Sequence, residues 1–219
     1  MRTLLSALAV GLLVLVAAPQ IALACHKDTP HGMETSCDGV PTSRIVFITS
    51  DTYDGGLNPD PNPNSIPCGT GVAGGNCICQ YHADQAGLSG VFLAWLADDM
   101  GNPFNTWAQS EVPWVRVDGV MVALNWDDLF DGTILAAIEV DEEGNHPAVG
   151  LPFGSAQVWT GTDAVGNSAG NENNTCTQWT STDGTGANGR TAGDHTGDWS
   201  LAVLTAPCSE DKHLYCFEQ

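Results

Sequence analysis

Three groups of side chains have types and spacings that could serve catalysis, metal binding or ligand binding. The first is a possible catalytic serine. Ser168 lies in "GNSAG", which fits the G-x-S-x-G pattern of a hydrolase nucleophile. Such a nucleophile needs a strand running into its turn and a helix running out, whereas Ser168 is surrounded by loop-forming Gly, Asn and Asp. We therefore predict that the protein is not an enzyme, and we keep a hydrolase that uses Ser168 only as a lesser alternative.

The second group consists of possible metal ligands, and the candidates for zinc or another soft metal come first. His26, Asp28 and His31 are close in sequence and could bind zinc, although histidines of an exposed loop have the same spacing. Cys77 and Cys79 form a C-x-C pair that suits a metal or a redox site. In an exported chain with an even number of cysteines, we expect these two to belong to separate disulfides instead.

Calcium is the remaining metal candidate. The segment 58–64 reads "NPDPNPN" and alternates proline with oxygen-bearing side chains, among them Asn58, Asp60 and Asn62, and "DEEGN" and "NENN" add further oxygens. The helix-loop-helix calcium signature requires glycine at its sixth position, where this segment has Pro63. We therefore predict no cofactor and keep calcium as an alternative.

The third group is aromatic, and it could stack on sugars. We expect four tryptophans to lie in the core because their neighbours are apolar: Trp95, Trp126, Trp159 and Trp179. Trp107 and Trp199 stand in polar segments and are the candidates for a ligand-binding surface. His82 falls on the apolar face of a predicted helix, so we interpret it as a core histidine rather than a ligand.

The N-terminus indicates export. Residues 1–24 have the order of a signal peptide: Arg2, an apolar run over 4–18, and a small-residue cleavage pattern at 22–24. Cleavage there leaves a chain with eight cysteines that can all pair, which favours a secreted or periplasmic protein. A lipoprotein anchored through Cys25 is the alternative, and it would leave an odd number.

The charge of the chain restricts its partners. Acidic residues outnumber basic ones by 26 to 6. Such a field repels phosphate backbones and anionic headgroups, so we predict no nucleic-acid binding. Because no stretch after the signal peptide is long and apolar enough to span a bilayer, we also predict no membrane insertion. Cations, basic partners, extracellular proteins and glycans remain as candidates.

The elements that must position these residues are short. Period-two apolar patterns predict strands, and three- and four-residue spacings predict about two helices, joined by long polar loops into one α+β domain. Asn76 is the predicted cap of the first helix and Gly87 its end. The predicted strands are 44–50, 91–97, a hairpin over 113–124 turning at Asp118-Gly119, 156–162 and 213–219; 133–145 is predicted to be a strand followed by a turn; a second helix, capped by Asn125, covers 125–132; and 163–198 is predicted to be mostly loop, interrupted by "CTQW".

Several of these segments, in order, resemble a known family. "CQYHADQAGLSGVFLAWLADD", "VDGVMVALNWDDLFDGTI", "VWTGT", "CTQWTS" and "LYCFEQ" are together similar to the exported bacterial domain of unknown function 1554, and to the endostatin domain with its C-type-lectin-like fold. The resemblance covers residues 44–219, and 25–43 form an N-terminal extension outside it. It implies mixed antiparallel sheets with the first and last strands side by side.

The resemblance also implies two disulfides. Carried over by position, Cys79 pairs with Cys216 and Cys176 with Cys208, whereas only proximity suggests Cys68 with Cys77 and Cys25 with Cys37. A bond to Cys216 closes most of the domain, which stabilises the fold by about 4 to 5 kcal/mol in the chain-entropy treatment. We expect a secreted, non-catalytic binding or surface-interaction module, with a calcium-dependent, carbohydrate-binding lectin-like protein as the alternative.

Overall fold

The structure, a computed structural model, describes residues 42–58, 68–147, 156–169, 174–192, 197–202 and 205–219. Within these residues the chain is α+β, as predicted, with nine strands, three right-handed helices and one left-handed helical turn, Cys176–Trp179. The strands are β1 Arg44–Ile48, β2 Phe92–Ala94, β3 Trp114–Arg116, β4 Met121–Ala123, β5 Gln157–Trp159, β6 Thr185–Gly186, β7 Asn188–Arg190, β8 Ala206–Pro207 and β9 His213–Glu218. The helices are α1 Val72–Gln85, α2 Pro103–Thr106 and α3 Trp126–Leu129.

The last strand organises the main sheet. All six residues of β9 are buried, and the sheet order is β4-β3-β1-β9-β5-β7. Along one edge β9 is antiparallel to β1, with Phe47 opposite Cys216. Along the other edge it pairs first with β5, in parallel, and then with β2, antiparallel. The first and last strands of the domain therefore lie side by side, as the resemblance implied.

Alternation along β1 and β9 divides the core into two layers. We call the first the disulfide face, where Ile45 and Phe47 of β1 and Leu214 of β9 pack against α1. We call the second the tryptophan face, where the intervening residues Val46 and Tyr215 pack among large aromatic rings. The tryptophan face is completed by Trp95, Trp114, Trp126, Phe130, Trp199 and Phe217.

Three disulfides occur in the described residues. Cys68 is bonded to Cys77, Cys79 to Cys216, and Cys176 to Cys208. These are the pairs that the resemblance and proximity indicated. The second bond fixes α1 to β9 across 137 residues of sequence, with a Cα separation of 5.3 Å. The pair Cys25 and Cys37 lies outside the described residues.

The first helix differs from its prediction at one end. It begins at Val72 after Gly71, whose φ is +70°, four residues before the predicted cap. Asn76 instead lies inside the helix, and its side chain accepts a hydrogen bond from Ala94 N at 2.9 Å. Burial against β2 thus extended the helix through a pair of glycines. The other end is as predicted, because Gly87 has φ +71°.

The predicted second helix is confirmed, since Asn125 Oδ1 accepts from Asp128 N at 3.1 Å and so caps α3. The strand predicted within 133–145 is wrong, because Asp141 forms only an isolated bridge with Ile48. The turn predicted after it is present, and Gly144 N donates to Asp141 O there at 3.0 Å. The hairpin is present, but residues 117–120 connect β3 and β4, rather than two residues. The predicted loop 163–198 contains β6 and β7, and α2 was not predicted.

Candidate binding site

A groove of about 310 Å3 opens beside the first turns of α1. Its lining comes from α1, from β2 and from the segment that follows β2 through α2. We call Leu93, Ala94 and Leu96 the floor, and the less buried Asp98, Met100 and Gly101 the rim. The lining residues are Val72, Ala73, Asn76, Leu93, Ala94, Leu96, Asp98, Met100, Gly101, Thr106 and Trp107.

The floor depends on a close approach of helix and strand. A Cβ at Gly75 would lie 2.5 Å from Leu96 Cδ1 and 3.3 Å from Ala94 Cβ, so a larger residue there would displace the Leu96 side chain from the floor. The Asn76 hydrogen bond to Ala94 N holds the same two elements together. The distance between α1 and β2 at the floor is therefore set by the packing of Gly75 and by this hydrogen bond.

One wall of the groove is Trp107, which directly follows α2. This helix is short and strongly capped: Asn102 Oδ1 accepts from Asn105 N, and Asn105 Oδ1 accepts from Asn102 N, each at 3.1 Å. The half-buried Trp107 ring packs with its centroid 5.4 Å from that of Trp95 and 5.4 Å from that of Phe217. The indole is thus held in place while it lines the groove.

One carboxylate, that of Asp98, lies at the rim, and that of Asp99 follows it in sequence outside the lining. Asp98 Oδ1 accepts from Met100 N at 2.7 Å and from Gly101 N at 3.0 Å, which fixes the orientation of this half-buried carboxylate. Asp99 Oδ2 accepts from Gln178 Nε2 at 3.2 Å. Met100, between them and the rest of the rim, is 87% exposed.

The rim is supported by a turn of unusual conformation. Residues Cys176–Trp179 all have φ between 50° and 60°, which makes them a single left-handed helical turn. This conformation costs about 1–2 kcal/mol per residue outside glycine. The Cys176–Cys208 bond and a hydrogen bond from Trp179 Nε1 to Ala97 O, at 2.8 Å, hold it in place. The same turn positions Gln178 against Asp99.

A second polar cluster surrounds His82 on α1. His82 Nδ1 and Glu142 Oε1 are 2.5 Å apart, and His82 Nε2 and the Tyr53 hydroxyl are 2.7 Å apart. Ser50 donates from Oγ to Glu142 Oε1 at 2.5 Å and from its backbone N to Oε2 at 2.9 Å. His82 is 3% exposed, so the interpretation of it as a core histidine is confirmed.

Electrostatics keeps this cluster in one protonation pattern. Burial by itself would raise the pKa of Glu142, but hydrogen bonds from His82 and Ser50 outweigh it and hold that pKa below its ordinary value. Burial raises the pKa of Tyr53, and the nearby carboxylates Asp51 and Glu142 raise it further. The cluster therefore holds an ionised carboxylate and a neutral phenol, and it ties α1 to the turn after residue 140.

The aromatic candidates have different fates. Trp107 lines the groove, as described above. The placement of Trp199 on a binding surface is wrong: it is fully buried, with its ring centroid 4.8 Å from that of Trp95. Its polar sequence neighbours turn outward while the indole fills the tryptophan face. The predicted core positions of Trp95, Trp126, Trp159 and Trp179 are confirmed.

The remaining candidates are spread over the chain. Ser168 forms a bridge with Thr162 after β5 ends, in the loop that the sequence predicted. Asn58 is exposed. Asp141, in "DEEGN", uses Oδ1 to accept from Glu143 N and Asn145 N, which makes it a turn former. The candidates outside the described residues are His26, Asp28, His31, Asp60 and Asn62.

In the part of the chain that the structure describes, no three His, Cys, Asp or Glu side chains are grouped so as to hold a metal ion. Among the described helices, none is long and apolar enough to cross a membrane.

Sequence reasoning missed Asp98 and Met100. The run "ADDMGN" offered a signal, because an apolar side chain set among turn-forming polar residues is typical of an exposed loop. It also missed the partners of His82, which lie 29 and 60 residues away along the chain. No local pattern indicates such distant partners.

Comparison with known proteins adds no relative. No model of a known protein family matches the chain, and no curated protein sequence matches it significantly.

Proposed function

We propose that the protein is an exported, non-catalytic binding module with a C-type-lectin-like fold, and that the groove beside α1 is where its ligand binds. The pairing of β1 with β9 and the two long-range disulfides support the fold. The three disulfides of the described residues support export, because such bonds persist in oxidising compartments.

The observation that carries the proposal is the construction of the groove. An apolar floor, an immobilised indole and a few oriented polar groups are what small-ligand and side-chain pockets usually combine. About 310 Å3 lies at the lower end of the range for such pockets. The exposed Met100 at the rim is a surface that a bound partner would cover.

A panel of glycans and proteins, probed with and without calcium, tests the proposal. The informative variant is Ala73→Gln, which places a helix-compatible side chain into the groove from an exposed position of α1. The matched control is Val91→Gln, at a position that is 58% exposed and not part of the lining.

We expect a ligand whose binding is lost in Ala73→Gln and kept in Val91→Gln. A ligand that binds both variants equally well would place the site elsewhere. Binding that requires calcium would favour the lectin alternative. Turnover of a substrate that Ser168→Ala abolishes would favour the hydrolase.

A further inference from the structure

We propose that the groove takes a lysine side chain from a basic peptide, with its aliphatic part on the floor and its ammonium group at the rim beside Asp98. This inference rests on the proposed function of the groove and names the chemistry of its ligand. It follows from three properties of the lining and one of the whole chain.

The floor suits an aliphatic stem. Leu93, Ala94 and Leu96 of β2 and the segment after it face Val72 and Ala73 of α1 across the groove. Lysine can lay its methylene groups along an apolar surface while its charged end stays in water. The apolar floor would contact the methylene groups, and the open rim would leave the ammonium group in contact with water.

The wall suits a cation. Trp107 presents an indole that Trp95 and Phe217 hold in place. Tryptophan is the aromatic side chain that attracts ammonium groups most strongly through the face of its ring. Because the ring is already ordered, little conformational entropy is lost when a cation packs against it.

The rim supplies a counter-charge in a fixed orientation. Two backbone N–H groups bind Asp98 Oδ1, whereas Oδ2 makes no hydrogen bond to any described residue. A carboxylate prepared in this way can accept a hydrogen bond from an ammonium group without first losing another partner. Asp99 adds a second negative charge beside it.

The charge of the chain as a whole favours a cationic partner. The formal net charge is −20, and none of the groove-lining residues is basic. Among the described basic residues, Arg116 binds Asp118 and Glu139, and Lys212 binds Glu210, so carboxylates already neutralise these two cations. A basic peptide would therefore be attracted at long range, and the groove would select its side chain.

The test uses a fluorescent peptide of alternating lysine and glycine and the same peptide with acetylated lysines. Acetylation keeps the aliphatic stem and removes the charge. Both are titrated into the full exported protein, into Asp98→Asn, and into Asp84→Asn. The asparagine at position 98 keeps an oxygen for Met100 N and Gly101 N, so the loop is preserved. Asp84 lies at the opposite end of α1 and controls for the loss of one charge.

We expect the lysine peptide to bind and the acetylated peptide to bind about 5- to 30-fold more weakly, the ratio expected for a partly desolvated cation beside an aromatic ring. Asp98→Asn and Ala73→Gln should weaken binding of the lysine peptide, and Asp84→Asn should not. Equal losses in Asp98→Asn and Asp84→Asn would show attraction by the general field and overturn the proposal.

Equal affinity for the lysine peptide and the acetylated peptide would also overturn the proposal, because the groove would then recognise only the aliphatic part of the side chain. If the lysine peptide fails to bind while the glycan and protein panel yields a ligand that Ala73→Gln excludes, the proposed function stands and this inference falls. Binding of nothing by the groove would overturn both.

Discussion

The two faces of the central sheet are held together by different means. On the disulfide face, α1 contains Gly74 and Gly75 in its interior, which lower its intrinsic stability, and it is bonded to β9 through Cys79. The tryptophan face includes no cysteine, and there Trp95 contacts four other aromatic rings. The comparison indicates that a covalent bond stabilises the face whose helix has low intrinsic stability, whereas ring packing stabilises the face where short segments meet.

The largest expected effect breaks the covalent side. Replacing Cys79 and Cys216 together with alanine should lower the free energy of unfolding by about 4 to 5 kcal/mol, because the bond closes 137 residues. Urea denaturation of the oxidised proteins measures this. The same double replacement of Cys68 and Cys77, which closes 9 residues, should cost only about 2 to 3 kcal/mol. Equal losses would refute loop closure as the origin.

The next effect breaks the aromatic side. Trp95→Ala should lower the free energy of unfolding by about 3 to 5 kcal/mol, because a fully buried indole leaves a cavity and Ser200 Oγ loses its donor at 2.7 Å. Thermal and urea denaturation measure it. The control is Leu135→Ala, at a site that is 48% exposed, where we expect less than about 0.5 kcal/mol. If Trp95→Ala lowered the free energy of unfolding only slightly, the packing of this ring would not be what stabilises the tryptophan face.

The smallest effect concerns the polar cluster that ties α1 to the turn after residue 140. Glu142→Gln should lower the free energy of unfolding at pH 7 by about 1 to 3 kcal/mol, since it weakens buried, charge-assisted hydrogen bonds to His82 and Ser50.

The pH dependence gives the sign of this effect. The folded-state pKa of Glu142 is depressed, so its contribution is fully present above the unfolded value near 4.3 and is lost as the pH falls through the folded value. The difference in the free energy of unfolding between wild type and Glu142→Gln should therefore become smaller below about pH 4.3. Glu143→Gln, on the same turn but exposed, is the control for replacing a carboxylate there. A difference independent of pH would contradict the ionised state of Glu142.

Much of the fold could be predicted from local patterns. Strands β1, β5 and β9 and the capped helix α3 follow from alternation and from one capping residue, which near neighbours determine. The prediction of a strand within 133–145 was wrong because its apolar residues, such as Ile134 and Ile138, pack in the tryptophan face but do not pair with a neighbouring strand. Burial and strand pairing are separate properties, and apolar composition reports only the first.

The candidate site was predicted only in part. Trp107 was chosen because its neighbours are polar, and it does line the groove. The same reasoning chose Trp199, which is fully buried. The two tryptophans have similar sequence surroundings but different burial. Trp199 packs on Trp95 within the tryptophan face, whereas Trp107 packs on Trp95 from the end of the short helix α2.

The sequence by itself determined where the main strands lie, where α3 begins and where α1 ends, because each depends on residues within a few positions of one another. Only the tertiary structure decided the start of α1, the partners of His82 and the groove between α1, β2 and Trp107. These depend on surfaces that meet after the chain has closed, and the free energy gained by burying such surfaces outweighs local preference.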